Sequence, residues 1–189
     1  MRLNLLEDNP IRIQPGKKVL VNGASGGVGS FAVQIAKSFG AEVTAGCTTG
    51  NVDMVHSLGA GHIIDYTQED FTQSSQRYDL IFDIVANRSL SDYLRVLNPL
   101  GNYVACAFNP SSLFLGPLFL MTSGKKASSL NHKPNRSDLV FMKELLEARK
   151  VVPVIDRCFP LSEVPEAMQY LETGRHRGKI VIRVAPDRQ

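Results

Sequence analysis

Lys18-Val19-Leu20-Val21-Asn22 runs into Gly23-Ala24-Ser25-Gly26-Gly27-Val28-Gly29-Ser30, and that turn opens directly onto Phe31-Ala32-Val33-Gln34-Ile35-Ala36-Lys37. The order is strand, tight turn, helix, and it constrains the fold more than any other part of the chain. Gly26 and Gly27 leave bare backbone on which a phosphate can rest, and Gly29 lets the helix approach the strand closely. The first turn of a helix carries unpaired N–H groups and a partial positive charge, both suited to a diphosphate. Glycine-rich turns also occur as plain loops. Here the flanking strand and helix supply the context that the phosphate-binding motif needs.

The pattern that follows repeats the same unit. Lys18–Asn22 reads as a strand with Val28–Phe39 as its helix, then Glu42–Gly46 as a strand and Val52–Leu58 as a short helix. His62–Asp65 and the nearly continuous apolar run Asp79–Val85 read as strands, the second covered on both faces. Leu90–Leu97 reads as a helix stopped by Asn98-Pro99-Leu100-Gly101, and Asn102–Phe108 as the next strand. Alternation of this kind predicts an α/β fold, a doubly wound parallel sheet with right-handed crossovers and helices on both faces. Further on, Lys126–Asn131 suits a polar sixth strand. Ser137-Asp138 suits a cap for a helix over Leu139–Lys150. Val151–Phe159 reads as extended, Leu161–Leu171 as a helix capped by Ser162, and Gly178–Val184 as a last strand. The expected division is a dinucleotide-binding domain over 1–150 and a remnant of a second, mostly β domain over 151–189.

Composition narrows the classes. With 43% hydrophobic residues the chain can build a core, and a net charge of +3 is too small to argue for nucleic acid. Lys125, Lys126, Lys133 and Arg136 lack interleaved aromatic residues and read as a solvated loop. The longest apolar run, Leu113–Met121, contains Gly116-Pro117 and is far shorter than the ~20 residues of a membrane helix. It reads as a buried or cleft-lining segment, without stable membrane insertion. Cys47, Cys106 and Cys158 lie far apart with no CxxC pair, which disfavours a metal site of ordinary spacing. An odd cysteine count with no leader peptide is what a reducing cytoplasm would permit. His56, His62, His132 and His176 stand in unrelated contexts and read as surface residues.

At this level the residues resemble a known family. Gly23-Ala24-Ser25-Gly26-Gly27-Val28-Gly29, Ser57-Leu58-Gly59-Ala60, Ile64-Asp65-Tyr66 and Tyr78-Asp79-Leu80-Ile81-Phe82-Asp83 are similar to the medium-chain dehydrogenase/reductase superfamily. So are Pro160-Leu161-Ser162-Glu163-Val164-Pro165-Glu166-Ala167-Met168 and Gly178-Lys179-Ile180-Val181. Within the superfamily the chain resembles the zinc-independent quinone oxidoreductase-like branch. The resemblance implies an oxidoreductase that transfers hydride from NADPH to a quinone or an α,β-unsaturated carbonyl. Such proteins begin with a GroES-like catalytic domain and return to it at their C-terminus. The present sequence starts close to the first Rossmann strand, so the expectation is that most of that domain is absent. The alternative is a catalytically inactive NADPH-binding module. The resemblance also implies a homodimer paired at the sheet edge, for which Lys126–Asn131 is the expected edge strand.

The cofactor can be read at the end of the second strand. NAD-preferring Rossmann proteins place a carboxylate there, ~20 residues past the glycines. Here the place holds Cys47-Thr48-Thr49-Gly50-Asn51. Thr48, Thr49 and Asn51 are candidate donors to a 2′-phosphate, which favours NADPH over NADH, although no cation stands beside them. The same threonines would also suit a simple turn. Tyr66 resembles the family's adenosine-side tyrosine. Nicotinamide contacts are expected at the carboxyl ends of later strands, from the backbone of Val85-Ala86-Asn87 and from Ala107, Phe108 and Asn109, with Phe108 a core residue on the plainer reading. No catalytic residue is assigned from the sequence.

Rival readings fail on specific residues. A short-chain dehydrogenase needs Tyr-x-x-x-Lys, and none of the five tyrosines has Lys four positions on. A methyltransferase usually carries an acidic residue at the end of the second strand. Gly174-Arg175-His176-Arg177-Gly178-Lys179 is one residue short of a P-loop, and Ile180 stands where a magnesium-binding hydroxyl is required.

Overall fold

The computed structural model describes residues 13–106, 124–130 and 135–184. Six strands form one parallel sheet: β1 (Lys18–Asn22), β2 (Glu42–Cys47), β3 (His62–Asp65), β4 (Tyr78–Asp83), β5 (Leu97–Ala105) and β6 (Lys126–Ser129), in the order β3-β2-β1-β4-β5-β6. The helices are α1 (Gly29–Ser38), α2 (Val52–Ser57), α3 (Leu90–Arg95), α4 (Arg136–Glu147) and α5 (Val164–Glu172). The order reverses beside β1, which makes the crevice between β1 and β4 the topological switch point.

β1 sits at the centre because it is apolar on both faces. Val19 and Val21 pack with Val33 and Ala36 of α1, while Leu20 faces Ile81, Tyr93 and Tyr103 on the opposite side. Successive side chains of a strand alternate between faces, so a run such as Val-Leu-Val feeds two cores at once. Tyr93 and Tyr103 stack with ring centroids 4.9 Å apart. Helix α1 ends where Gly40 takes φ +77°. The N–H of Gly40 then bonds the Lys37 carbonyl at 2.9 Å, a closure that suits glycine.

Several expected boundaries move. Asn98-Pro99-Leu100-Gly101 does not separate α3 from the next strand; β5 already begins at Leu97, which pairs with Tyr78, and the register shifts before Asn102 pairs with Leu80. Leu100 accommodates the irregularity at φ +63° and projects outward, 77% exposed. Helix α4 starts earlier than expected because Asn135, not Ser137 or Asp138, is its cap; Asn135 Oδ1 accepts from the Asp138 N–H at 2.8 Å. Ser162 caps nothing: Leu161–Glu163 forms a single 3-10 turn, and α5 follows with Pro165 in its first turn. Leu113–Met121, Ala107, Phe108, Asn109, Asn131, His132 and Lys133 lie outside the described residues.

Beyond α4 the strands β7 (Ile155–Pro160) and β8 (Lys179–Arg183) pair with each other in parallel, joined through α5. Two ties bind this unit to the large sheet's helices and loops. Gln34 of α1 exchanges two hydrogen bonds with the backbone of Val152, at 3.0 and 2.8 Å. Gly178 donates its N–H to the Ser25 carbonyl at 2.8 Å. Among the described residues, no helix is long and apolar enough to cross a membrane.

Candidate functional site

The glycine turn lies where β1 meets α1. Gly23 takes φ +90°, a conformation that favours glycine. The N–H groups of Gly23 and Ala24 bond the Gly46 carbonyl at 3.0 and 2.9 Å, fixing the turn to β2. A Cβ on Gly29 would fall 2.0 Å from the Gly23 carbonyl oxygen, so only glycine permits this approach of helix to turn. Gly26 is open, with nothing nearer to a Cβ than 3.8 Å. The N–H groups of Gly27, Val28 and Gly29 donate no backbone hydrogen bond among the described residues, and Val28 caps α1 without a side-chain partner. Unpaired donors at a helix N-terminus beside an open glycine make a cradle of the right chemistry for a diphosphate. The residues present therefore fit a dinucleotide.

Around the cradle the structure assembles the other candidates. Asn51 donates to Ser25 Oγ at 3.1 Å and to Thr48 Oγ1 at 3.0 Å, tying the end of β2 to the glycine turn. Thr49 donates to Asp65 at 2.5 Å and lies 3.1 Å from Thr67 Oγ1. These hydroxyl bonds, with the Thr67 N–H, hold the Asp65 carboxyl below the usual range. The hydroxyl proton of Thr49 is thus directed at Asp65, whereas Thr48 Oγ1 accepts from Asn51 Nδ2. Tyr66 packs against Gly46, whose Cβ would lie 3.6 Å from its ring; burial above all pushes its phenol upward. Val85, 43% exposed, leans on the glycine turn, since a Cβ on Gly23 would meet its Cγ2 at 2.6 Å. Cys47 occupies the place of the NAD-type carboxylate as a buried thiol, pushed up to about 11 by burial first and Asp65 second.

Sequence reasoning missed one contribution. The segment 174–179, considered above only as a failed P-loop, lies on the glycine turn. Lys179 Nζ stands 2.9 Å from the position of a Cβ on Gly27, and Arg177 Nη2 stands 3.8 Å from that of a Cβ on Gly50. The cation missing beside Thr48 and Thr49 arrives from the far end of the chain. The clustering of Arg175, Arg177 and Lys179 was visible in the sequence; its destination was not. His176, expected at the surface, is half-buried, and its Nδ1 has no hydrogen-bond partner among the described residues. No group of three His, Cys, Asp or Glu side chains converges as a metal site among the described residues.

Comparison with known proteins agrees with this geometry. Residues 58–182 match the family described as zinc-binding dehydrogenase. The mouse mitochondrial NAD(P)H oxidoreductase RTN4IP1 is 37% identical over 193 residues, an alignment covering 89% of this chain and 48% of that protein. The tomato 2-methylene-furan-3-one reductase is 38% identical over 178 residues, covering 90% of this chain and 41% of the relative. A solved quinone oxidoreductase from Coxiella burnetii superposes with a TM-score of 0.79 at 29% identity, covering 92% of this chain and 54% of that one. The chain thus spans about half the length of the relatives it matches. Sheet order and glycine turn together define a Rossmann-type dinucleotide-binding fold. Within that class the chain belongs to the zinc-binding dehydrogenase family of the medium-chain dehydrogenase/reductase superfamily.

Proposed function

We propose that this chain binds NADPH and forms the cofactor-holding part of a reductase acting on quinones or α,β-unsaturated carbonyl compounds. The observation that carries the reading is the open glycine cradle at the end of β1, flanked by Lys179 and Arg177. The unpaired N–H groups of Gly27, Val28 and Gly29 would hold the diphosphate, with Lys179 offsetting its charge. Thr48 and Arg177 would face the 2′-phosphate, Asn51 and Thr49 would keep that loop in shape, and Tyr66 would lie along the adenosine. Backbone groups of Val85 and Ala86 would meet the nicotinamide side; Ala107 and Phe108 belong to the same proposed edge. The RTN4IP1 relatives are named NAD(P)H oxidoreductases and the tomato relative a 2-methylene-furan-3-one reductase, which supports this chemistry.

The bound cofactor supplies the hydride, and the protein orients it and excludes water. A quinone accepts that hydride and one proton from solvent to give a hydroquinone, leaving NADP⁺. The reading further proposes hydride transfer without zinc and a cytoplasmic location; Cys47, Cys106 and Cys158 are free thiols. β6 ends the sheet order, which supports a homodimer formed along that edge.

The test is to mix the protein with NADPH and a small quinone while following both nicotinamide absorbance and NADPH fluorescence. Oxidation proportional to protein concentration supports the reductase. Binding without oxidation identifies an inactive cofactor-binding module. Absence of binding at millimolar nucleotide overturns the reading, and sedimentation as a monomer at all concentrations overturns the dimer.

A further inference from the structure

A second cleft, of about 650 Å³, lies at the end of α1 away from the glycine turn. Helix α1 spans 10 residues, which sets the two places about 15 Å apart along its axis. The cleft lies between the last turn of α1, the Ser57-Leu58-Gly59 end of α2 and the linker from Arg149 to Val154. Its volume is that of a small-molecule site. Leu58, Val152, Pro153 and Val154 supply apolar wall, and Lys37, Arg149 and Lys150 supply charge. No Asp or Glu among the described residues lines it.

The uncharged polar groups of the cleft are already engaged. Ser38 Oγ donates to the Ile35 carbonyl at 2.7 Å, and Ser57 Oγ to the Met54 carbonyl at 2.6 Å. Gln34 is committed to Ser30 and Val152. The cations are not engaged: the charged heads of Lys37, Arg149 and Lys150 have no ion pair or hydrogen bond among the described residues. Cations near helix C-termini commonly complement the helix dipole. Here backbone N–H groups close the helix ends instead, those of Phe39 and Gly40 on α1 and those of Ala148, Arg149 and Lys150 on α4.

The backbone places two of these side chains. Arg149 takes φ +53° just past the end of α4. That left-handed position favours glycine. Arginine stands there against the preference, and solvation alone gives no reason for it. Lys37 lies along Gly59, its Cγ, Cδ and Cε 3.3, 3.9 and 3.9 Å from the position of a Cβ there. A guanidinium is a planar fork matched to phosphate oxygens, and the two ammonium groups add charge beside it. Three cations without a carboxylate suit a phosphate dianion better than a single carboxylate. We propose that this cleft binds a soluble organic phosphate, its phosphoryl group held by Arg149, Lys150 and Lys37 and its organic part resting on Leu58, Val152 and Pro153. The site is separate from the glycine cradle and does not depend on the cofactor bound there.

The test is an NMR titration of the whole isotope-labelled chain with phenyl phosphate, because amide shifts locate the ligand. Shifts should appear at Lys37, Ser38, Leu58, Gly59 and 149–152. No shift there, or shifts confined to Gly26–Ser30, would overturn the site. Arg149→Gly removes the guanidinium and relieves the backbone. It should weaken phenyl phosphate about tenfold, the size of a lost charge-assisted hydrogen bond, without lowering the urea midpoint. A loss of binding in that variant therefore cannot come from misfolding, and unchanged binding overturns the proposal. Lys37→Gln should weaken the ligand about threefold. Benzoate carries the same ring with one charge and should bind about tenfold more weakly; equal binding would refute a phosphate site. Vesicles of phosphatidylcholine with phosphatidic acid test a membrane source. Vesicle binding that Arg149→Gly abolishes, with no phenyl phosphate shifts in the cleft, would overturn the soluble ligand.

Discussion

Gly178 donates its backbone N–H to the carbonyl oxygen of Ser25 at 2.8 Å, joining the start of β8 to the middle of the glycine turn. Only glycine allows this approach. Gly178 takes φ +65°, and a Cβ there would lie 2.4 Å from the Val154 carbonyl oxygen. Its neighbours reach the same region, Arg177 toward Gly50 and Lys179 over Gly27. A segment that completes a different part of the fold thereby adds two cations to the crevice.

Cofactor selectivity follows from that delivery. Arg177→Ala should weaken NADPH about tenfold, in the range of a charge-assisted hydrogen bond that is partly exposed, and leave NADH nearly unchanged. Thr48→Asp should act in the same direction, because a carboxylate there repels a 2′-phosphate and can accept from ribose hydroxyls. Fluorescence titrations with both nucleotides measure the ratio. Equal losses for NADPH and NADH would place the 2′-phosphate elsewhere.

Two glycines of the turn should respond differently to the same substitution. Gly29→Ala drives a methyl group to 2.0 Å from the Gly23 carbonyl oxygen, a backbone atom that cannot move aside. It should cost roughly 3 kcal/mol or more, the upper end for overpacking, seen as a lower urea midpoint. Gly26→Ala meets nothing closer than 3.8 Å and should leave stability within about 0.5 kcal/mol. Its methyl group would nevertheless stand in the cradle, so nucleotide binding should weaken. Equal stability losses in the two variants would contradict the geometry of the turn.

What was legible in the sequence was local. β1, the turn and α1 could be read from Lys18 to Lys37 because apolar pattern and glycine spacing act within a few residues. The parallel sheet followed from repetition of that unit. The start of β5 was hidden because Asn98-Pro99-Leu100-Gly101 has the chemistry of a stop, and only pairing of Leu97 with Tyr78 overrides it. Asn135 was passed over as a cap because Ser137-Asp138 offers the same side-chain chemistry two residues later. Arg177 was illegible for a stronger reason. Its place depends on the return of a distant segment onto the glycine turn, and no window of sequence contains that return.

Alkaline pH should unfold the protein through buried acids. Burial pushes the Cys47 thiol from an ordinary 9.0 to about 11, and Cys106 likewise, with a nearby carboxylate adding to each. The phenols of Tyr78 and Tyr93 are raised as well, again chiefly by burial. A raised folded-state value means the unfolded chain releases its proton first. The stabilising contribution of the two thiols is thus complete below pH 9.0 and is lost as pH rises toward about 11. Urea midpoints should fall across that window, and Cys47→Ala should flatten part of the slope. A midpoint independent of pH there would show that Cys47 ionises as freely in the folded protein as in the unfolded chain.

The attachment of the β7–β8 unit should depend on Gln34. Its side chain lies in α1, 8% exposed, and its amide exchanges bonds with both backbone groups of Val152 while also reaching the Ser30 carbonyl at 2.9 Å. An amide side chain can satisfy a backbone N–H and C=O together, a geometry that alanine cannot supply. Because Val152 is 53% exposed, water can take over part of what is lost, which keeps the expected cost of Gln34→Ala near ~1–2 kcal/mol. The loss should be regional. Amide exchange should quicken over 152–160 and across β8, while β1 keeps its protection. Uniform acceleration through both sheets would mean that the unit and the Rossmann sheet open together, and unchanged exchange in β7 would mean that the Gly178–Ser25 bond alone is sufficient to hold it.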